Sequence, residues 1–307
     1  MLLPGSLPLD QATLRALSEG LPLHQDIAAR LRNAETTGAD GSWSDAERAA
    51  GSTIGDLPAG LQLRSVVNAG SEAHDNAMFA VASPLSAALG LTDLTPLDPD
   101  TLQLTDADSR ALCDTCGEHL QADGIDLTFV DAHRWLFATR QHVDVLTERP
   151  EWMVGENLRP NLPRGAGSRQ VERWMNELQM LLYTHPVNIA REDRGLPPIN
   201  VIWLWGFSPA SNAGVESVGS QTQVTAISDF AKAFRNGDLA AWQRAWSSNV
   251  EAILAADQII LGDSHPRLRI AHHKPGFMQN LLARFARPSI LADTLVTLRG
   301  LAAEARS

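Results

Sequence analysis

Residues 180–206 read MLLYTHPVNIAREDRGLPPINVIWLWG, and this stretch decides the fold class. Its last part, residues 201–205, is apolar without alternation and is closed by Gly206. Such a run predicts a strand that is buried on both faces, which favours a parallel or mixed sheet covered by helices.

Helices are predicted on the amino-terminal side of this strand. Ser168 is placed to cap an amphipathic helix whose apolar residues recur at spacings of three and four. Helical structure is expected to pause at His185 and to resume with Pro186 in a first-turn position, where its missing N–H group costs nothing. Gly195 is placed to end this second helix.

The rest of the chain alternates apolar runs with helical patterns. Strands are predicted over residues 61–68, 77–82 and 258–261, and a hairpin over residues 125–130 and 134–139. Helices are predicted over residues 105–123, 223–235, 238–256, 275–286 and 289–305. This order predicts a three-layer α/β fold with a mixed sheet flanked by helices. We expect residues 1–307 to form a single α/β domain, with residues 60–155 as a mixed α+β subdomain.

Composition narrows the classes of partner. The 307 residues include 25 Lys and Arg against 36 Asp and Glu, a formal charge of −11. A field of that sign repels phosphate backbones, so no nucleic-acid partner is expected. No apolar run of about 18 residues predicts a membrane span. The absence of a signal-peptide pattern and the two cysteines favour a cytoplasmic location, and nothing indicates an oligomeric state.

The order of residues in 180–206 resembles the central motif of the RpfE-type regulatory family of bacterial proteins. The shared features are a helix, His-Pro-Val-Asn, an Arg, a Gly, an Asn and then Trp-Leu-Trp-Gly. Archaeal-type cofactor-independent phosphoglycerate mutases have a similar run. The resemblance implies an alkaline-phosphatase-like fold, in which an early strand ends in a metal-binding Asp and later Asp and His residues complete a two-metal site.

The helix after His185 carries a candidate ligand-binding cluster. Asn188, Arg191 and Arg194 are three residues apart and are expected to share a face. Two guanidinium groups beside an amide and the imidazole of His185 form a plausible cradle for a phosphate or carboxylate, and Asn200 is the fifth candidate. In the alternative interpretation, His185 and Asn188 bond the backbone at the helix break, Arg191 pairs with an acid such as Glu177, and Asn200 is a turn residue.

Catalytic machinery for phosphoryl transfer is only partly indicated. The first candidate strand end reads Leu3-Pro4-Gly5, with Pro where the resemblance places an Asp. Asp263 and His265 directly follow a predicted strand, where α/β sheets place ligands, so they are the candidate catalytic residues. With His272 they are also the candidate ligands for a divalent metal, although their spacing is not diagnostic of any metal motif.

The two cysteines, Cys113 and Cys116, form a C-x-x-C pair within a predicted helix. A closed zinc site needs four ligands and the chain has no second Cys pair, so a packing role is favoured.

The favoured functional interpretation is a mutase-like protein without evident catalytic metal ligands or cofactor. It would bind a small phosphorylated or acidic metabolite in a regulatory role. The alternatives are a metal-dependent phosphomutase or phosphatase, and a protein–protein interaction module.

Overall fold

A computed structural model describes most of the chain and divides it into two compact units. Unit 1 consists of residues 1–53 and 222–307, and unit 2 of residues 54–221. The predicted 60–155 subdomain falls within unit 2, and the single-domain organisation stays a prediction. The described residues are 1–7, 11–18, 25–32, 35–39, 60, 63–64, 67, 77–89, 94–155, 157–210, 227, 229–262, 266–271 and 291–304.

The strands and helices of the described residues are numbered in chain order. The strands are β1 (Leu2–Leu3), β2 (Glu35–Gly38), β3 (Met78–Leu85), β4 (Ala87–Leu89), β5 (Leu94–Pro96), β6 (Ile125–Asp131), β7 (Arg134–Thr139), β8 (Val201–Pro209), β9 (Gln258–Gly262) and β10 (Pro266–Ala271). The helices are α1 (Gln11–Ser18), α2 (Gln25–Arg32), α3 (Asp106–Leu120), α4 (Ser168–Tyr183), α5 (Pro186–Asp193), α6 (Asp229–Arg235), α7 (Leu239–Ser248), α8 (Val250–Ala255) and α9 (Leu291–Glu304).

Unit 1 contains a mixed sheet with strand order β1-β9-β10-β2. β1 runs parallel to β9, and β10 is antiparallel to both β9 and β2. The apolar core includes an aromatic trio, and the Phe230 ring packs edge-on against Trp246 with the ring centroids 4.8 Å apart. The helices around this sheet confirm the predicted mixed α/β class.

The turn after β1 is pressed against this aromatic trio. The Trp242 indole N–H donates to the carbonyl of Gly5 at 3.0 Å. Gly5 has a φ of +75°, and a Cβ there would lie 2.5 Å from the Cα of Ala231. The close approach and the left-handed backbone both require glycine at this position.

Unit 2 contains an antiparallel sheet with strand order β6-β7-β3-β8. The predicted β6–β7 hairpin is confirmed. One face of the sheet packs against helices, since Phe137 lies 5.5 Å from the Trp174 ring of α4 and the Trp135 indole bonds Ser109 of α3. A separate two-stranded sheet pairs β4 with β5.

The expected parallel or mixed pairing of the 201–205 strand is wrong, although its burial is correctly predicted. In the described residues β8 pairs only with β3, and this pairing is antiparallel. The face opposite the helices is covered by an irregular segment, since the Trp203 indole donates to the Glu148 carbonyl at 2.8 Å and Arg149 lies over the Trp205 ring. A chain segment thus buries a face that sequence reasoning assigned to helices.

Several helix boundaries follow from local signals. The side chain of Thr105 caps α3 by accepting from the Asp108 N–H, and α5 begins at Pro186 and ends before Gly195, whose φ is +72°. The predicted cap by Ser168 is wrong, because Gly167 precedes α4 and no side chain caps it. The strand predicted over residues 61–68 is also wrong, since its described residues Leu63, Arg64 and Val67 are helical.

The helices of the described ranges include none that is both long and apolar enough to cross a bilayer.

Candidate functional site

The candidate ligand-binding residues lie around the junction between α4 and α5. His185 is the N-cap of α5, and its Nδ1 accepts the Val187 N–H at 3.2 Å. Its Nε2 lies 3.1 Å from the hydroxyl of Thr115 in α3. With Nδ1 accepting, Nε2 carries the proton and donates to Thr115. Burial lowers the pKa of His185, so the fold favours this neutral ring.

Asn188 is buried and uses its amide to join three segments. Its Nδ2 donates to the Leu182 carbonyl at the end of α4 and to the Ile199 carbonyl before β8, at 2.8 and 2.7 Å. Its Oδ1 accepts the Ile199 N–H at 2.7 Å. The Asn188 side chain therefore fixes where the chain leaves α5 to enter the sheet.

Arg191 is fully buried, and it binds main-chain oxygens rather than a carboxylate. Nε donates to the Pro197 carbonyl at 3.1 Å and Nη2 to the Leu102 carbonyl at 2.6 Å, while Nη1 has no hydrogen-bond partner. Burial lowers the pKa of Arg191, Asp108 opposes this shift and Arg194 adds to it. The positive charge of Arg191 is thus incompletely compensated.

The suggested pairing of Arg191 with Glu177 is wrong. Glu177 instead lies 3.6 Å from His119 and 3.9 Å from Arg173. The spacing pattern on α4 and α5 suggested the contact, but Arg191 faces the loop before α3.

Arg194 is the C-cap of α5, and half of its side chain is exposed. Its Nε donates to the Ala190 carbonyl, and its Nη2 lies 3.3 Å from Asp108 Oδ2 of α3. The predicted shared face holds for Asn188 and Arg191, which point inward, whereas Arg194 reaches the surface because the helix ends there.

Asn200 directly precedes β8, and its side chain bonds the main chain of Ala87 in the way that a neighbouring strand would. Its Oδ1 accepts the Ala87 N–H at 2.8 Å and its Nδ2 donates to the Ala87 carbonyl at 2.9 Å. These bonds continue the β3–β8 pairing past its end. Four of these five residues bond main-chain groups inside the fold, and Arg194 bonds a carbonyl of its own helix. These bonds do not test ligand binding, so the ligand-binding role stays a prediction.

The candidate catalytic and metal-binding residues, Asp263, His265 and His272, lie outside the described residues. The strand predicted before Asp263 is confirmed as β9, whose parallel neighbour is β1. The turn after β1 reaches the end of β9, where the Leu7 N–H donates to the Gly262 carbonyl at 2.9 Å. The described part of the chain contains no group of three or more His, Cys, Asp or Glu residues arranged to hold a metal ion.

The cysteine pair has the packing role that its helical position predicts. Cys113 and Cys116 are free and buried in α3. Burial raises the pKa of each thiol to about 12, so the reactive thiolate is disfavoured.

Two polar partners on α3 were missed by sequence reasoning. Asp108 and Thr115 contact Arg194 and His185, respectively. They are seven residues apart, a spacing that places both on one face of a helix. The spacing could be read from the sequence, but the sequence did not show that this face of α3 contacts α5.

No protein-family model matches the chain. The chain is 39% identical over 67 residues to the 2,3-bisphosphoglycerate-independent phosphoglycerate mutase of Methanothrix thermoacetophila, covering 22% of this chain and 17% of that protein. It is 27% identical over 129 residues to the mutase of the same name from Methanosarcina mazei, covering 41% of this chain and 32% of that protein.

The chain is a distant homologue of archaeal cofactor-independent phosphoglycerate mutases. It spans about a third or less of the length of these two curated relatives. A solved cofactor-independent phosphoglycerate mutase from Thermoplasma acidophilum aligns over 97% of both chains, with 12% identity and a TM-score of 0.40.

Proposed function

We propose that this chain is a regulatory, non-catalytic relative of the phosphoglycerate mutases, of the RpfE type, which binds a small phosphorylated or acidic metabolite. The proposal includes an alkaline-phosphatase-like fold and a cytoplasmic location. Homology to phosphoglycerate mutases supports the ligand class, because the phosphoglycerate in their name is a phosphorylated carboxylic acid.

The observation that carries the proposal is the buried guanidinium of Arg191. Its Nη1 has no partner, and the described residues place no carboxylate in a salt bridge with it. A buried unpaired donor destabilises a fold by about 1–3 kcal/mol. An anion that accepts from Nη1 would remove this cost and compensate the charge.

In this proposal the ligand approaches Arg191 through the ion pair of Arg194 and Asp108. Their ion pair is partly exposed, with 51% of the Arg194 side chain and 23% of the Asp108 side chain accessible. A phosphate oxygen that replaces the Asp108 carboxylate would meet Arg194 first. Arg191 lies one turn of α5 before Arg194, and its pKa responds to both Asp108 and Arg194. The other three candidates, His185, Asn188 and Asn200, would then position the two arginines rather than contact the ligand.

One observation weighs against catalysis. β1 ends in Leu3 and is followed by Pro4, where the resemblance places a metal-binding Asp. The residue that follows β1 therefore has no carboxylate to offer a metal ion at this position.

The alternative is a metal-dependent phosphomutase or phosphatase that uses Asp263, His265 and His272. One observation favours it. β9 is a strand of a mixed sheet and ends directly before Asp263, which is the position where α/β sheets carry ligand-binding side chains.

Thermal unfolding of the purified chain with phosphate, 3-phosphoglycerate and related phosphorylated acids tests the proposal. Each compound is measured with and without Mn²⁺ or Zn²⁺. A ligand present at about 100 times its dissociation constant stabilises the native state by about 2.7 kcal/mol. We expect a stabilisation that needs no metal.

Two variants locate the ligand. Arg194→Gln removes the exposed cation of the proposed site and should abolish the stabilisation. Arg173→Gln is the matched control, because Arg173 is 54% exposed and pairs with Asp123 at 3.1 Å much as Arg194 pairs with Asp108. Equal stabilisation of both variants would contradict the site. A shift that requires metal, together with phosphoester hydrolysis that a chelator abolishes, would establish the enzyme alternative.

A further inference from the structure

Exposed apolar side chains are concentrated at one place in unit 2. Met180 and Tyr183 of α4 are 77% and 85% exposed, and Ile189 of α5 is 52% exposed. The other large apolar side chains that the described residues expose, Leu162 and Leu239, are only 39% and 40% exposed and lie elsewhere in the chain. Single exposed apolar residues are ordinary, whereas larger contiguous exposed apolar patches mark interaction surfaces.

The three side chains point outward because the opposite faces of both helices are occupied. α4 buries Trp174, Leu178 and Leu182 against the core. Met180 and Tyr183 are three residues apart, so they lie side by side on the outer face of α4. α5 turns Asn188 and Arg191 inward, which leaves Ile189 outside.

The junction between the two helices is held rigidly. His185 caps α5 and bonds α3, and Asn188 bonds the last turn of α4. These bonds hold α4 and α5 in a fixed relative orientation. The segment that carries the exposed side chains therefore loses little conformational entropy when a partner binds.

Acidic groups border the apolar side chains. Glu192 and Asp193 are exposed, and they follow Ile189 by three and four residues on the same helix. Neither carboxylate forms an ion pair with another described residue. The chain as a whole carries a formal charge of −11, so the field around this surface is negative.

We infer that Met180, Tyr183, Ile189, Glu192 and Asp193 form a docking surface, here called the 180–193 surface, for a basic amphipathic segment of a partner protein. Tyrosine and methionine are enriched in the centres of protein interfaces, and methionine adapts its shape to a partner. Basic side chains on the partner segment would meet the two free carboxylates and be steered by the net charge. A second copy of this chain or an anionic membrane would bring like charges together.

Fluorescence anisotropy with a labelled synthetic peptide tests this surface. The probe is a 16-residue amphipathic helix with Leu on one face and Lys on the other, and its control has Glu in place of Lys. We expect the Lys peptide to bind and the Glu peptide to bind at least about tenfold more weakly.

Variants of the full chain distinguish peptide binding at the 180–193 surface from general attraction of a basic peptide to an acidic protein. Met180→Ser with Tyr183→Ser, and Glu192→Lys with Asp193→Lys, should each weaken binding of the Lys peptide at least about tenfold. Leu162→Ser and Leu239→Ser are matched controls for an exposed apolar residue elsewhere and should leave the affinity unchanged. None of these changes touches Arg191 or Arg194, so this inference can fail while the proposed anion site stands.

Three results would overturn the inference. The first is equal peptide affinity for all variants, or no binding at all. The second is a concentration-dependent dimer in analytical ultracentrifugation that Met180→Ser with Tyr183→Ser abolishes, which would assign the surface to self-association. The third is binding to phosphatidylserine vesicles that the same pair of substitutions removes.

Discussion

In unit 1 the interior beneath the β1 turn is an aromatic trio, Phe230, Trp242 and Trp246, whose rings pack edge-on against one another. A single hydrogen bond, from the Trp242 indole to the Gly5 carbonyl, joins this trio to the turn. In unit 2 the interior also contains buried polar side chains, and Asn188 and Arg191 bond main-chain groups from segments far apart in sequence. Apolar packing can adjust to small shifts of its members, whereas a buried hydrogen bond is lost when its partner moves. A polar motif in the sequence can therefore report a structural junction as readily as a ligand site.

The largest effect is expected in the aromatic core of unit 1. Trp246→Ala should lower the local free energy of unfolding by about 3–5 kcal/mol, because a large buried side chain leaves a cavity. Hydrogen exchange followed by mass spectrometry measures this for peptides of unit 1. Trp246→Phe is the control. The indole N–H of Trp246 has no partner, so only volume is lost and the decrease should be much smaller.

The polar junction of unit 2 provides a second test. Asn188→Ala removes three buried hydrogen bonds and leaves the N–H and carbonyl of Ile199 without their side-chain partner, which should cost about 2–4 kcal/mol in unit 2 peptides. The Leu182 carbonyl still accepts the His185 N–H. Asn200→Ala removes two bonds to the main chain of Ala87 and should cost about 1–2 kcal/mol. If the two variants lose equal stability, Asn188 is not the stronger junction.

Alanine substitutions at one glycine in each unit test how much backbone strain each unit tolerates. Gly195→Ala places a side chain at a φ of +72° in open space and should cost about 1–2 kcal/mol. Gly5→Ala adds a clash of 2.5 Å with the Ala231 backbone and should cost about 1–3 kcal/mol more. Equilibrium urea denaturation of both variants gives the difference, and equal losses would mean that the β1 turn can shift away from α6.

The smallest effect is a pH dependence from His185. Burial lowers its folded-state pKa below the ordinary value of 6.5, so the unfolded state binds the proton more readily. The contribution of the neutral ring to stability is complete above that value and declines as the pH falls from about 7 towards the folded-state pKa. His185→Asn retains a capping oxygen without a titrating group. Stability curves between pH 7 and 5 should be flatter for this variant, and parallel curves would contradict the assignment.

Local signals account for the elements that were predicted correctly. The break at His185, the start at Pro186 and the end before Gly195 depend on the missing N–H of proline and the left-handed conformation of glycine, which neighbouring residues scarcely change. The β6–β7 hairpin follows from two apolar runs with a short turn between them. The pairing of β8 was misjudged because burial on both faces does not reveal which segment provides the cover.

The candidate site shows the same division. The residue types in His-Pro-Val-Asn and the two arginines were visible in the sequence, as was the alternative that they hold the backbone. The structure shows main-chain partners for His185, Asn188, Arg191 and Asn200. Those partners are carbonyls and N–H groups, which every residue type carries, so no side-chain pattern could have named them.

By itself the sequence determined the α4–break–α5–strand succession, because periodicity, proline and glycine act within a few residues of one another. It also determined a chain of net charge −11 without a long apolar span. Only the tertiary structure decided that Arg191 reaches the carbonyl of Leu102, 89 residues away, and that β8 runs antiparallel to β3. Such contacts depend on which distant segments the core brings together, and packing rather than local preference sets that choice.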